Sequence, residues 1–482
     1  MQLISENEVL RRLSVDNPWW ELNEIDDRFR DFPHRDYFSH FYELISDKEL
    51  NRAVILMGPR RVGKTVMINH AIHELLSARQ SSDSILYLSL ETPVYTGLSL
   101  EQIVDKYVNL KGHHRKSNLF IFFDEIQYLK DWEVHLKSLV DTYPDYKFIA
   151  TGSAAAALRL KSRESGAGRF TEFLLPPLTF AEFIRFIDKE SELIETDANG
   201  NISAKDIQQL NTEFVNYLNY GGYPEAVFSR KIQQDSSRYI KSDIIDKVLL
   251  RDLPSLYGIS DIQELNRLFT TIAYNTGNEV SYEALSKNSG VAKNTLKRYL
   301  EYLEAAFLIK IVNRIDQNSR QFKRVTNFKV YLTNPSMRAA LFGPVTEDDT
   351  AMGNLTETAI YSQWLHSDYI QNLYYARWKK AEVDIVALSS EQQSPIWAVE
   401  IKWTDAPIEN HDRIGGLIEF ALKNPLEEVA LTSKTIRTII QKDGFTIDVI
   451  PSALQTYVVS KTILRNKTTG ARLHNKLLHE NG

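Results

Sequence analysis

The sequence predicts a multidomain α/β protein, and three observations predict it. A chain of 482 residues exceeds what one hydrophobic core organises, so several domains are expected. Between residues 46 and 180, buried-type apolar strands alternate with helical patterns, the signature of a parallel sheet. Near the far end, "AEVDIVALSSEQQSPIWAVEIKW" reads as two further strands joined by a polar turn. The hydrophobic share of 43% and charged share of 25% are those of ordinary globular protein.

Residues 1–45 read as a polar and aromatic lead-in carrying Trp19 and Trp20. The start lacks the basic-then-apolar pattern of a signal peptide, and no apolar run approaches the roughly 18 residues that span a bilayer. With no cysteine there is neither a disulfide framework nor a thiolate metal site. A cytoplasmic chain with no membrane partner is the expectation. The net charge of −6 gives no global attraction to nucleic acid, so any such surface is local.

Residues 46–180 open with "AVILMGPRRVGKTVMINHAI": strand, glycine-bearing loop, helix. Gly58 to Thr65 fit G-x-x-x-x-G-K-[ST]. Gly58 and Gly63 let backbone N–H groups approach phosphates, Lys64 supplies charge to the β/γ-phosphates, and Thr65 offers a hydroxyl to Mg2+. The following helix adds its N-terminal dipole. In "NLFIFFDEIQYL" four apolar residues run into Asp124, which suits the Mg2+ shell, and Glu125, which suits activation of water. The strand "KFIATGSAAAAL" ends near Ser153, whose hydroxyl either reads a γ-phosphate or caps the strand.

The order "GPRRVGKT", "FFDEIQYLKDWEVHLKSLVD", "IATGSAAAAL", "GAGRFTEFLLPPLTFAEF" and "YGGYPEAV" resembles the bacterial and archaeal AAA-type ATPases of the additional-strand, catalytic-glutamate class. The resemblance runs from "NPWW" at residues 17–20 to about residue 405. It implies ATP and Mg2+ as cofactors and a possible homo-oligomer. It also implies two arginines, Arg60 in the phosphate loop and Arg169 before "LLPPLTFAEF", that sense a γ-phosphate or act between subunits.

An acidic loop around Asn199-Gly200 leads into residues 181–275, helical in periodicity and read as a lid. Residues 276–335 contain "EVSYEALSKNSGVAKNTLKRYLEYLEAAFLIKIV", a winged helix-turn-helix pattern with a turn at Ser289-Gly290. Lys293, Lys297 and Arg298 fall on its second helix. Lys310, Arg314, Arg320, Lys323, Arg324 and Lys329 follow in a basic hairpin. Together they suit duplex DNA through its phosphates; a protein-packing winged helix is the other reading.

Residues 336–482 hold the two acid-bearing strands. If they pair, Asp384 meets Glu400, and two carboxylates so close call for a shared cation such as Mg2+. Lys402 projects with Glu400 while Val399 and Ile401 enter the core. Glu357 lies on the helix of "GNLTETAIYSQWL". This order resembles the PD-(D/E)XK nuclease core, although Asp384 follows Val383 and Glu382 instead of proline. The fold expected for the whole is therefore a P-loop parallel-sheet ATPase core, a helical lid, a winged helix and a restriction-endonuclease-like α/β domain. The expected function is an ATP-hydrolysing switch or motor controlling a metal-dependent DNA nuclease, with defence against foreign DNA as one setting. A signalling or scaffold ATPase, or a DNA-binding regulator with a silent C-terminal domain, are the alternatives.

Overall fold

A computed structural model describes residues 5–95, 97–153, 168–321, 326–389 and 394–465. The chain forms two compact units, residues 1–175 and 176–482.

The first unit is built on five strands: β1 (Ala53–Met57), β2 (Ile85–Ser89), β3 (Leu119–Asp124), β4 (Tyr146–Gly152) and β5 (Phe170–Leu174). They lie parallel in the order β2-β3-β4-β1-β5. Every residue of β1, β3 and β4 is buried, which is why these stretches read as unbroken apolar runs without alternation. β4 is inserted between β1 and β3, so the loop after β1 and the acid at the end of β3 flank its last residues.

The lead-in finishes the open edge of this sheet. Asn17 turns its side-chain amide onto β2, accepting from the Tyr87 N–H at 2.6 Å and donating to the Tyr87 carbonyl at 2.8 Å. The Trp19 and Trp20 indole N–H groups both donate to the Ile85 carbonyl. The "NPWW" stretch thus satisfies backbone groups that an edge strand otherwise leaves bare.

In the second unit, helices fill most of residues 180–274, with a small hairpin of β6 (Ile194–Thr196) and β7 (Ile202–Ala204). Helices Tyr282–Ser289 and Lys293–Ala305 follow, the first closed by Gly290 at φ 74°, a left-handed cap that glycine tolerates. The remaining strands are β8 (Glu279–Ser281), β9 (Ile309–Ile315), β10 (Asn327–Leu332), β11 (Leu373–Trp378), β12 (Ala381–Leu388), β13 (Pro395–Glu400), β14 (Glu428–Ser433), β15 (Thr438–Lys442) and β16 (Phe445–Pro451). They form one sheet, ordered β15-β16-β14-β13-β12-β11-β9-β10-β8. The strands flanking the helix pair therefore join those of residues 336–482, expected as a separate module, through a short parallel pairing of β9 with β11.

The pairing of β12 with β13 sets Ile385 opposite Val399, and the next step of that antiparallel register brings Asp384 to Glu400. On its other side β12 meets β11 with a break: Val386 faces Tyr374 and Val383 faces Ala376, so Asp384 and Ile385 together oppose the single residue Tyr375. This is a β-bulge, which bends a strand and re-aims a side chain. Val383 and Val386 enter the core beneath the helix Gly415–Lys423, while Ile385, Val399 and Ile401 enter the opposite core.

Candidate functional site

In the first unit the phosphate-binding stretch leaves β1 at Gly58, where any Cβ would stand 2.2 Å from the Leu175 carbonyl oxygen. Gly63 caps the helix Lys64–Ser77 at φ 96°. Lys64 is buried, its Nζ donating to the carbonyls of Gly58 and Pro59 at 3.1 and 2.9 Å. Arg35 of the lead-in donates to the Val62 carbonyl at 2.6 Å and fixes the loop from behind.

Asp124 ends β3 inside a ring of hydroxyls. Thr65 and Tyr87 each donate to its Oδ2 at 2.9 Å, and Thr151 of β4 donates to Oδ1. Burial, with the neighbouring Glu125 charge, pushes the Asp124 carboxyl up; the three hydroxyls oppose that. Thr65 and Asp124, both expected at a Mg2+ shell, are therefore in direct contact. Glu125 sits at φ 56°, an uncommon conformation for a residue with a Cβ, and its N–H donates to the Thr151 hydroxyl. Gln127 holds its carboxylate. Ser153 lies just past β4 with its hydroxyl buried and unpartnered among the described residues. Arg60 reaches Tyr128, which donates to Glu91. The hydroxyls of Tyr87 and Thr151 were not picked out as Asp124 partners from sequence; a tyrosine within the apolar run "ILYLS" was the available signal.

Arg169 requires a correction. It pairs with Asp141, and its carbonyl accepts from Ala53 at the start of β1, whereas the phosphate loop leaves the end of that strand. Five residues of extended chain put about 17 Å between the two ends. Arg169 cannot read a phosphate held by its own loop; it stands as a half-exposed arginine paired with Asp141.

The second unit carries an open cleft of about 1020 Å³ lined by Glu357, Asp384, Glu400 and Lys402 among others. All four expected members of the acidic constellation are brought together. Lys402 Nζ lies 2.5 Å from Glu400 Oε1 and 3.8 Å from Asp384 Oδ2. The Ile401 N–H donates to Asp384 Oδ2 at 2.8 Å. Two further residues belong to the cluster. Lys329 on β10 ion-pairs with Glu357, Glu382 and Asp384 at 2.6, 2.6 and 3.1 Å, and the Tyr331 hydroxyl donates to Glu357. Glu357 is thus held by this protein's own lysine and tyrosine.

The electrostatics separate the three acids. Burial and the Asp384 charge push Glu357 up to about 7, against Lys329 and Tyr331. The same two causes push Glu400 up to about 8, against Lys402. Burial acts to raise Asp384 too, but Lys329 and Lys402 outweigh it and hold Asp384 below the usual carboxylate range. Both lysines are kept charged: burial opposes this, and the facing carboxylates prevail.

Among the described residues no three His, Asp or Glu side chains are poised together as a ready metal cage. A narrower donor set still fits one hydrated Mg2+. Glu400 Oε2 is buried without a hydrogen-bond partner beside Asp384, and Mg2+ commonly takes only one or two carboxylates, keeping waters in its remaining positions.

The helix pair presents Lys293, Lys297 and Arg298 as exposed side chains. Lys293 is paired with Glu283, and the Lys297 ammonium lies 5.3 Å from the Tyr282 ring centroid. Lys323 and Arg324 lie outside the described residues, as does most of the basic tail after residue 465. The expected basic hairpin is otherwise largely neutralised: Lys310 pairs with Glu304, Arg314 with Glu279, and Lys329 is buried in the acidic cluster. A lysine in the apolar-flanked strand "NFKVYL" was the sequence signal for that burial.

Residues 50–184 match the family model of an AAA domain, and residues 211–348 match a domain of unknown function. An uncharacterised protein of Haemophilus influenzae is 23% identical over 361 residues, covering 73% of this chain and 84% of its own length. An uncharacterised protein of Methanocaldococcus jannaschii is 23% identical over 354 residues, covering 71% of this chain and 74% of its own. Among solved structures, the Aeropyrum pernix ORC2 protein (ADPNP-ADP complexes) is 14% identical, with 66% of this chain and 96% of that chain covered and a TM-score of 0.39. The AAA-domain match takes in β1 to β5, the loop Gly58–Thr65 and the acids Asp124 and Glu125. Among the described residues no helix is long and apolar enough to cross a membrane.

Proposed function

We propose that the chain is an ATP-driven switch whose second unit cleaves DNA phosphodiester bonds with the help of one divalent metal. The observation that carries the nuclease half is the Glu400 oxygen left unpartnered beside Asp384, with Lys402 alongside, at the mouth of an open cleft. Asp384 and Glu400 would hold the metal, which when bound supplies charge stabilisation to a phosphoryl oxygen. Asp384, kept ionised by two lysines, is the dependable ligand at neutral pH. Lys402 is about 30% exposed at its side chain, so its ammonium can face a phosphate in the cleft while its stem stays packed. There it adds fixed positive charge where negative charge grows in the transition state.

In the first unit, Lys64 and the loop N–H groups would hold the triphosphate, Thr65 and Asp124 would hold Mg2+, and Glu125 would orient the attacking water. Gln127 fixes the Glu125 carboxylate, and Ser153 offers the remaining donor beside β4. Duplex DNA would reach the second unit through Lys297, Arg298 and neighbouring groups.

A second reading is supported by the ion pairing itself. Lys329 and Lys402 already balance much of the acidic cluster, as in a domain kept for binding and no longer for cutting. One assay separates the two. The purified chain is incubated with linear, supercoiled and single-stranded DNA, with and without ATP, in Mg2+ or Mn2+. Metal-dependent cutting that vanishes in Asp384→Ala supports the nuclease. No cutting of any substrate in any condition removes it, and the binding platform then stands.

A further inference from the structure

The Lys329 ammonium is buried to 2% exposure and ion-pairs with three different carboxylates, donating hydrogen bonds to Glu357 and Asp384 and standing 2.6 Å from Glu382. No such role is needed to hold the strand, since β10 already pairs with β8 and β9. The two oxygens of Asp384 face different partners. Oδ1 is taken by Lys329, whereas Oδ2 turns toward Lys402 and Glu400 and accepts from Ile401. Lys329 takes Oδ1, while Glu400, whose Oε2 has no hydrogen-bond partner, stands across the β12–β13 pairing from Asp384. The charge balance says the same. Ion-paired around Asp384, the carboxylates Glu279, Glu357, Glu382, Asp384 and Glu400 are faced by Lys329, Lys402, Arg314 and Arg377, five carboxylates against four cations.

We infer that Lys329 stands in the place of a second divalent cation, so that the cleft accepts one metal ion where its carboxylates alone would accept two. This rests on the metal-centred reading of the cleft. A fixed ammonium can offset part of the charge of the three acids and hold their geometry, but it cannot accept a ligand from water or substrate. The inward β10 lysine therefore limits the centre to a single ion on the Asp384 Oδ2 side, with Lys402 beside it. Removing the ammonium leaves three converging carboxylates whose mutual repulsion a divalent ion relieves.

The test counts bound Mn2+ on the nucleotide-free full chain by the electron paramagnetic resonance of the free ion. Asp384→Asn gives the count owed to the rest of the chain, including the ATPase. The wild type should bind one ion more than this reference, and Lys329→Met two more. Lys329→Gln, whose amide can still donate to Glu357, should also bind two more, and it keeps the test open if the methionine variant fails to fold. The Mn2+-induced rise in melting temperature should be larger in both lysine variants than in the wild type. Equal counts in the wild type and both variants would overturn the inference and leave the single-metal reading intact. A wild type that binds no more than Asp384→Asn would remove the metal centre itself, and the inference with it.

Discussion

Raising the pH from 6.5 to 8 in the absence of divalent metal should weaken the second unit, and the size of the effect follows from two carboxyls. Glu357 is held near 7 and Glu400 near 8, both far above the ~4.3 of an unfolded glutamate. Across this window the folded chain binds protons that the unfolded chain has already lost, so stability falls as pH rises. Release of the Glu357 and Glu400 protons gives a combined loss of roughly 2 kcal/mol between pH 6.5 and 8. Asp384 is lowered and Lys329 raised, so neither changes charge in the window. His70, lowered to about 4 by burial, works in the opposite direction, and above pH 6.5 its remaining effect is only about 0.4 kcal/mol, too small to reverse the fall. Melting curves in EDTA should drop by a few °C over the window. Saturating Mg2+ should flatten the drop, because the ion stabilises the ionised pair. The double variant Glu357→Gln/Glu400→Gln should also flatten it. A wild-type melting temperature that holds steady or climbs from pH 6.5 to 8 in EDTA would refute the reasoning, as would an undiminished slope in the double variant.

Lys64→Ala should abolish ATP hydrolysis in a phosphate-release assay and weaken nucleotide binding; turnover at the wild-type rate would remove the loop from the chemistry. Glu125→Gln should still bind ATP yet hydrolyse it about 10²-fold more slowly or worse, the cost of losing a general base. Lys402→Ala should keep the wild-type Mn2+ count but lose most DNA cleavage, with ATP hydrolysis unchanged; a lower ion count would make the lysine structural. Charge reversal at Lys297 and Arg298 should weaken DNA binding and flatten the plot of log affinity against log salt by about 0.9 for each phosphate no longer neutralised. An unchanged slope would assign the helix pair to protein packing.

The sequence by itself determined what depends on local composition and spacing. The apolar runs of β1, β3 and β4 declare strands buried on both faces because no alternation is required there. The loop Gly58–Thr65 announces itself because close approach to phosphate demands glycine and lysine at fixed steps. The alternation in "AVEIKW" correctly sends Val399 and Ile401 inward and Glu400 with Lys402 toward the cleft, since strand periodicity is a property of the backbone. Only the tertiary structure decided which distant residues share a site. Arg169 matched a family position, yet the direction of β5 relative to β1 sets it at the wrong end of the sheet. Lys329 read as one of several hairpin cations, and the sheet carried it into the acidic cluster. The bulge at Asp384 and Ile385 arises from how β12 meets β11, a partner that no local pattern names. Hydrophobic period fixes which face a side chain takes; pairing, curvature and burial fix what it finds there, and those depend on strands tens of residues away.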